Sequence, residues 1–262
     1  MKLHGFVREK VWEVSSRIDS LEETTLTPRA RVLTDVRRNP FGKSNSESET
    51  VILEYENETG NFDYRAPFRL TMAIQLTLDS LSMTLDAINL SADAMPFTGC
   101  LHPYFRTDDI NNISIQGLAG STYIDKVDGY KEKCLSPSAP QMSIAGEVLS
   151  FALGCESAVD QANYFIDRVF KPTEGNALSL QLLDRNIGDI LDITKSASWP
   201  NWVVFNPWIE GKRGEKGPDF DDDGYKYMVC VEPAVALQPI VLQSFESWRG
   251  ILTLSAKQML SI

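Results

Sequence analysis

LTMAIQLTLDSLSMTLDA, residues 70–87, carries the fold. Leu70, Met72, Ile74, Leu76 and Leu78 alternate with Thr71, Ala73, Gln75 and Thr77, the period-two pattern of a strand with one apolar face. After Asp79 and Ser80 the alternation restarts as Leu81, Met83, Leu85 and Ala87, so two strands meet at a polar turn and pair as an antiparallel hairpin. Apolar runs predict further strands at 31–36, 51–55, 113–116, 178–183, 202–205, 227–231 and 251–254. Turn signals separate them at 39–48, 108–112, 136–140 and 211–224, and none has the length of an interdomain linker. Helical spacing occurs only around Ala158, Ala162, Phe165, Ile166 and Val169, which limits the chain to one or two short helices. The expectation is an all-β, mostly antiparallel protein of two packed sheets, forming a single domain over 1–262.

Composition bounds the partners. The chain is 43% hydrophobic and 10% aromatic, enough for a large core. Its 25 basic against 36 acidic residues leave a net charge of −11, which repels nucleic acid and anionic lipid. No apolar run reaches the ~20 residues that span a bilayer, and MKLHGFVREK lacks the apolar core of a signal peptide, so a cytoplasmic location is expected. Cys100, Cys134, Cys155 and Cys230 are scattered, with no C-x-x-C pair and only two histidines. That pattern fits reduced thiols and no metal. Sequons at Asn57, Asn89 and Asn112 are set aside because nothing signals secretion.

Two short motifs hold the candidate chemistry. LHPYFR carries His102, and Pro103 after it keeps that histidine out of helical geometry. By itself, a histidine in an aromatic strand is more often structural than catalytic. MVCVEP carries Glu232, which alternation places on the same face as Cys230. A carboxylate there lies either in solvent at a strand end or in a functional cleft, and Pro233 marks the end of the strand. Any imidazole proton transfer falls to His102 or His4. The D-x-D-x-D-G run from Asp219 to Gly224 resembles the start of a calcium loop, but its twelfth position is Cys230 where a bidentate glutamate is needed, so calcium is excluded. The basic loop 211–217 lacks the spacing and the following helix of a phosphate loop, and is a solvated turn.

HGFVREKVW at 4–12, LHPYFR at 101–106, GLAGSTYIDK at 117–126, DRVF at 167–170, VVFNPW at 203–208 and DFDDDGYKYMVCVEP at 219–233 together resemble the aldose 1-epimerase family, in its hexose-6-phosphate mutarotase branch. These pieces occur in family order and cover almost the whole chain. The resemblance implies a galactose-mutarotase-like β-supersandwich and interconversion of the α and β anomers of glucose 6-phosphate by ring opening. It implies Glu232 as the base that takes the anomeric hydroxyl proton and His102 as the acid that protonates the ring oxygen, with no cofactor. By the same resemblance Arg8 contacts phosphate or substrate, Asp167 binds a sugar hydroxyl, and His4 is a weaker candidate for the pocket wall.

Two departures accompany it. Family members carry a stretch ahead of HGFVR, with a phosphate-binding arginine before a glycine pair, and a glutamine where this chain has Leu3. The expectation is a chain short of one phosphate ligand and of opening strands. VLSFALGCESAVDQANYF precedes Asp167 and reads as an insertion over 147–166. The leading expectation is a monomeric hexose-6-phosphate mutarotase; the alternative is a catalytically impaired homologue that binds carbohydrate or sugar phosphate.

Overall fold

A computed structural model describes residues 7–18, 48–57, 64, 66–137, 141–143, 166–171, 178–184, 188–207, 221 and 223–258. The 70–87 stretch forms the expected hairpin from β3 (Phe68–Thr77) and β4 (Ser80–Asn89), with Leu76 opposite Leu81 and Met72 opposite Leu85. Thr77 fixes the turn, because its hydroxyl donates to the Asp79 carboxylate and accepts the N–H of Ser80. β1 (Glu13–Ile18) and β2 (Ser48–Asn57) extend the hairpin on one side and β16 (Ser247–Gln258) on the other. The order is β1-β2-β3-β4-β16, antiparallel throughout. These strands belong to a first compact unit, Met1–Phe97 with Ile240–Ser255. Asn57 and Asn89 are buried there, with their amide nitrogens donating to backbone carbonyls, so neither sequon presents its amide to solvent.

The second unit, Thr98–Pro239 with Ala256–Ile262, holds two strand arrays, apart from residues 95–97 and 240–242. One runs β13 (Asp189–Lys195), β12 (Ser179–Asp184), β7 (Ile113–Gln116) and β10 (Gln141–Ser143). The other runs β5 (Met95–Cys100), β15 (Met228–Leu242), β14 (Asn201–Asn206), β11 (Ile166–Phe170), β8 (Thr122–Asp125) and β9 (Lys131–Cys134). A short β6 (Tyr104–Arg106) pairs with β15. The core of this unit includes Ile115, Leu180, Ile193, Val204, Val229 and Val231, each with no solvent exposure. Gly117 makes the exit from β7, with φ at +101° and room for no Cβ, since one would stand 2.9 Å from Leu180 Cδ2 and 3.0 Å from the Ser179 carbonyl oxygen.

The structure differs from the sequence reading at three points. Pro233 does not end its strand, because β15 continues to Leu242. A residue's N–H and C=O point to the same side of a strand, and the Pro233 carbonyl accepts the N–H of Leu101. The missing N–H therefore faces that segment rather than β14, and the ladder to β14 loses no donor. Ile166 and Val169 lie in a strand instead of a helix; Ile166, Arg168, Val169 and Phe170 are all buried, so the strand is covered on both faces and shows no alternation. Cys100 and Cys230 are free thiols, whereas Cys134 is disulfide-bonded.

The described residues contain no α-helix, only 3-10 turns at Val7–Glu9, Ile110–Asn112 and Gly224–Tyr227. None of their helices is long and apolar enough to cross a membrane. The expected strand at 31–36, the loop at 211–217, Cys155, His4 and nearly all of the expected insertion (147–165) lie outside the described residues.

Candidate functional site

Strand β15 sets the site. Cys230 and Glu232, two residues apart, share a face, and the ladder carries that face across the sheet. Asp167 pairs with Phe205, Phe205 with Cys230, and Cys230 with Tyr104. One step along, Val169 pairs with Val203 and Val203 with Glu232. Residues 65 positions apart, Asp167 and Glu232, are thereby brought onto one surface by register alone (232 − 167 = 65). Val169, Val203 and Ala234 form a buried apolar cluster on that face, and Val203 is the cross-strand neighbour of Glu232.

His102 reaches the same place from the segment between β5 and β6. Its ring stacks on Tyr104 at 4.9 Å and 10°, and meets the edge of Phe205 at 6.2 Å and 77°. Those contacts fix the imidazole plane and leave Nε2 3.3 Å from Glu232 Oε1. The histidine side chain is 20% exposed and the glutamate 5%, so solvent reaches the pair from the histidine side.

Burial pushes the Glu232 carboxyl up to about 8. A hydrogen bond from the Cys100 thiol pulls it back, the Asp167 charge raises it further, and Lys126 lowers it. Asp167 is gripped by Lys126, whose Nζ stands 2.7 Å from each carboxylate oxygen. The two thiols beside Glu232 are poor nucleophiles, since burial and the neighbouring carboxylate push Cys100 up to about 12 and raise Cys230 as well. One ligand atom each from His102, Cys230 and Glu232 lie within 4.8 Å of one another, a donor set that fits a metal ion.

His102, Glu232 and Asp167 are thus gathered within the second unit. Arg8 lies exposed in the 3-10 turn Val7–Glu9 of the first unit. Lys126, Cys100 and Phe205 are site residues that the sequence reading did not single out. Lys126 ends GLAGSTYIDK, but its partner lies 41 positions away, and no local spacing marks such a pair. Cys100 stands two residues before His102, and only the path of the chain back onto β15 gives it a role.

A family model described as Aldose 1-epimerase matches residues 36–255. A Cenchrus ciliaris protein provisionally named glucose-6-phosphate 1-epimerase is 29% identical over 257 residues, covering 98% of this chain and 65% of that protein. An Escherichia coli protein of the same provisional name is 26% identical over 241 residues, covering 89% and 60%. The chain therefore spans roughly three-fifths to two-thirds of the length of these relatives. Among solved structures, a protein provisionally termed a mutarotase from Salmonella typhimurium superposes with a TM-score of 0.70 at 20% identity, covering 98% of this chain and 68% of that one. A galactose mutarotase-like protein from Clostridium acetobutylicum superposes with a TM-score of 0.60 at 15% identity, covering 98% and 69%. The fold is the galactose-mutarotase-like all-β fold.

Proposed function

The chain belongs to the aldose 1-epimerase family, and from that premise we propose that it is a hexose-6-phosphate mutarotase whose proton-transfer pair is His102 and Glu232. The observation that supports this most is the 3.3 Å contact between His102 Nε2 and Glu232 Oε1 on a half-buried, aromatic-lined surface. Anomer exchange moves one proton off the hydroxyl on C1 and one onto the ring oxygen bonded to the same carbon. Two groups that touch each other without sugar reach both oxygens after a small separation. Glu232 takes the hydroxyl proton as the C1–O5 bond opens, and His102 delivers a proton to O5. Rotation about C1–C2 exposes the other carbonyl face, and the transfers reverse on closure.

A carboxyl held at about 8 suits this task, because a base poised near neutrality both accepts a proton and returns it. Asp167, fixed by Lys126, is the proposed ligand for a ring hydroxyl. Arg8 is the proposed phosphate contact, and glucose 6-phosphate the proposed substrate, in keeping with the names of the sequence relatives.

Magnetisation-transfer NMR on glucose 6-phosphate reads anomer exchange directly. The chain is expected to exceed the spontaneous rate, with His102→Ala and Glu232→Gln each losing roughly 100-fold or more, the scale of one general acid or base. A folded sample that binds the sugar phosphate without accelerating exchange would move the assignment to a binding homologue.

A further inference from the structure

We propose that His102, Cys230 and Glu232 also form a binding site for a thiophilic divalent cation of the zinc class, and that its occupation silences the proton-transfer pair. The ligand atoms of all three residues lie within 4.8 Å of one another. The 3.3 Å between His102 Nε2 and Glu232 Oε1 already equals the separation of two ligands on one tetrahedral ion, ~3.3 Å when each bond is ~2.0–2.1 Å. A zinc–sulfur bond is longer, ~2.3 Å, so the thiolate belongs ~3.5 Å from those two atoms. Rotation of the Cys230 and Glu232 side chains covers that adjustment while the imidazole keeps its plane. The backbone need not move, because Cys230 and Glu232 already share one face of β15.

The surroundings favour occupation. Cys230 and Glu232 are buried and His102 is partly so, which shields two of the three donors from water. Cys100, the second free thiol, lies beside the same carboxylate but outside this group of three donors. Two of the three donors are nitrogen or sulfur, a set that selects zinc-class ions over magnesium or calcium. On loading, the Cys230 thiol and the Glu232 carboxyl each give a proton to solvent and an electron pair to the metal. One thiolate and one carboxylate then balance the two positive charges, so no net charge is buried.

The cation uses the imidazole lone pair and the carboxylate oxygen that proton transfer needs, so cation and turnover exclude each other. That consequence rests on the mutarotase reading; the binding does not.

Cobalt(II) titration of the full chain, without sugar, tests the site. A tetrahedral visible spectrum with a near-ultraviolet sulfur-to-cobalt charge-transfer band is expected, displaced by Zn²⁺ and removed by a chelator. In a Cys100→Ala chain the band should persist, and adding Cys230→Ala should abolish it. His102→Ala, a change in a partly exposed segment, should weaken cobalt at least tenfold while near-ultraviolet circular dichroism of the metal-free protein stays unchanged. No charge-transfer band in the parent, a band that survives loss of Cys230, or unaltered affinity in His102→Ala would overturn the site. Zn²⁺ at a level that fills it should stop anomer exchange, with recovery on chelation, and exchange that continues with the site loaded would overturn the silencing. Cobalt binding in a chain that never accelerates exchange would sink the mutarotase reading and leave the cation site standing.

Discussion

Lys126 shows how much of a site rests on residues that do no chemistry. Its ammonium touches both oxygens of Asp167 at 2.7 Å, and it also draws the Glu232 carboxyl down against the push of burial. Lys126→Met leaves Asp167 without this clamp and leaves two carboxylates facing each other across the sheet. The ion pair is partly exposed, so its direct contribution to stability is small, ~0–1 kcal/mol. The larger expected effect is on sugar positioning. Steady-state kinetics should show kcat/KM falling roughly tenfold, carried mainly by KM, with Lys126→Arg restoring most of it through its two-pronged geometry. An unchanged KM in Lys126→Met would remove Asp167 from the sugar contact. At this scale the sequence was legible where chemistry is local: Glu232 and Cys230 fall on one face by simple alternation, and Pro103 keeps His102 extended. It was silent where contact comes from register, as in the pairing of Asp167 with Lys126, or from chain return, as in the approach of Cys100 to Glu232.

At the scale of elements, one buried amide ties three strands together. Asn201, at the start of β14, donates from Nδ2 to the Phe170 carbonyl of β11 and accepts with Oδ1 the N–H groups of Ala236 and Leu237 in β15. It is 2% exposed, so removing the amide leaves backbone groups with no water to turn to. Asn201→Ala is expected to cost roughly 2–3 kcal/mol, read as a lower urea midpoint, and Asn201→Asp should be no better than Ala because it lacks the donor to Phe170. A loss under half a kcal/mol would show that these strands are held by packing alone. β3 and β4 were legible from the alternation of apolar and polar residues in their sequence, although side chains of both parities are half-buried along most of their length. β11 was misread as helical because every described side chain along it from Arg168 to Phe170 is buried, and uniform burial erases the period. The end of β15 was misplaced because a proline breaks a ladder only when its nitrogen faces a partner strand, and here it faces Leu101.

At the scale of the whole molecule, stability above about pH 8 responds to a lysine that the chemistry does not use. Lys195 is 2% exposed; its ammonium donates to the Trp199 carbonyl and sits 5.2 Å from the centre of the Trp202 ring. Burial pulls it from 10.5 down to about 8. The unfolded chain keeps the ordinary value, so between about pH 8 and 10.5 the unfolded state binds more protons, and folding stability rises with pH across that window. Below pH 8 both states are protonated and the fold carries the full cost of the buried charge, on the order of 3 kcal/mol at ~1.4 kcal/mol per pH unit. Lys195→Met keeps the length of the stem and deletes the charge, at the expense of leaving the Trp199 carbonyl without its donor. That second loss does not vary with pH. The difference in unfolding free energy between variant and parent should therefore move in the parent's favour by roughly 2–3 kcal/mol between pH 7 and pH 10, whatever its absolute value at either end. Urea denaturation of both proteins along that range reads the slope, and a pH-independent difference would mean that Lys195 keeps an ordinary ammonium in the folded protein.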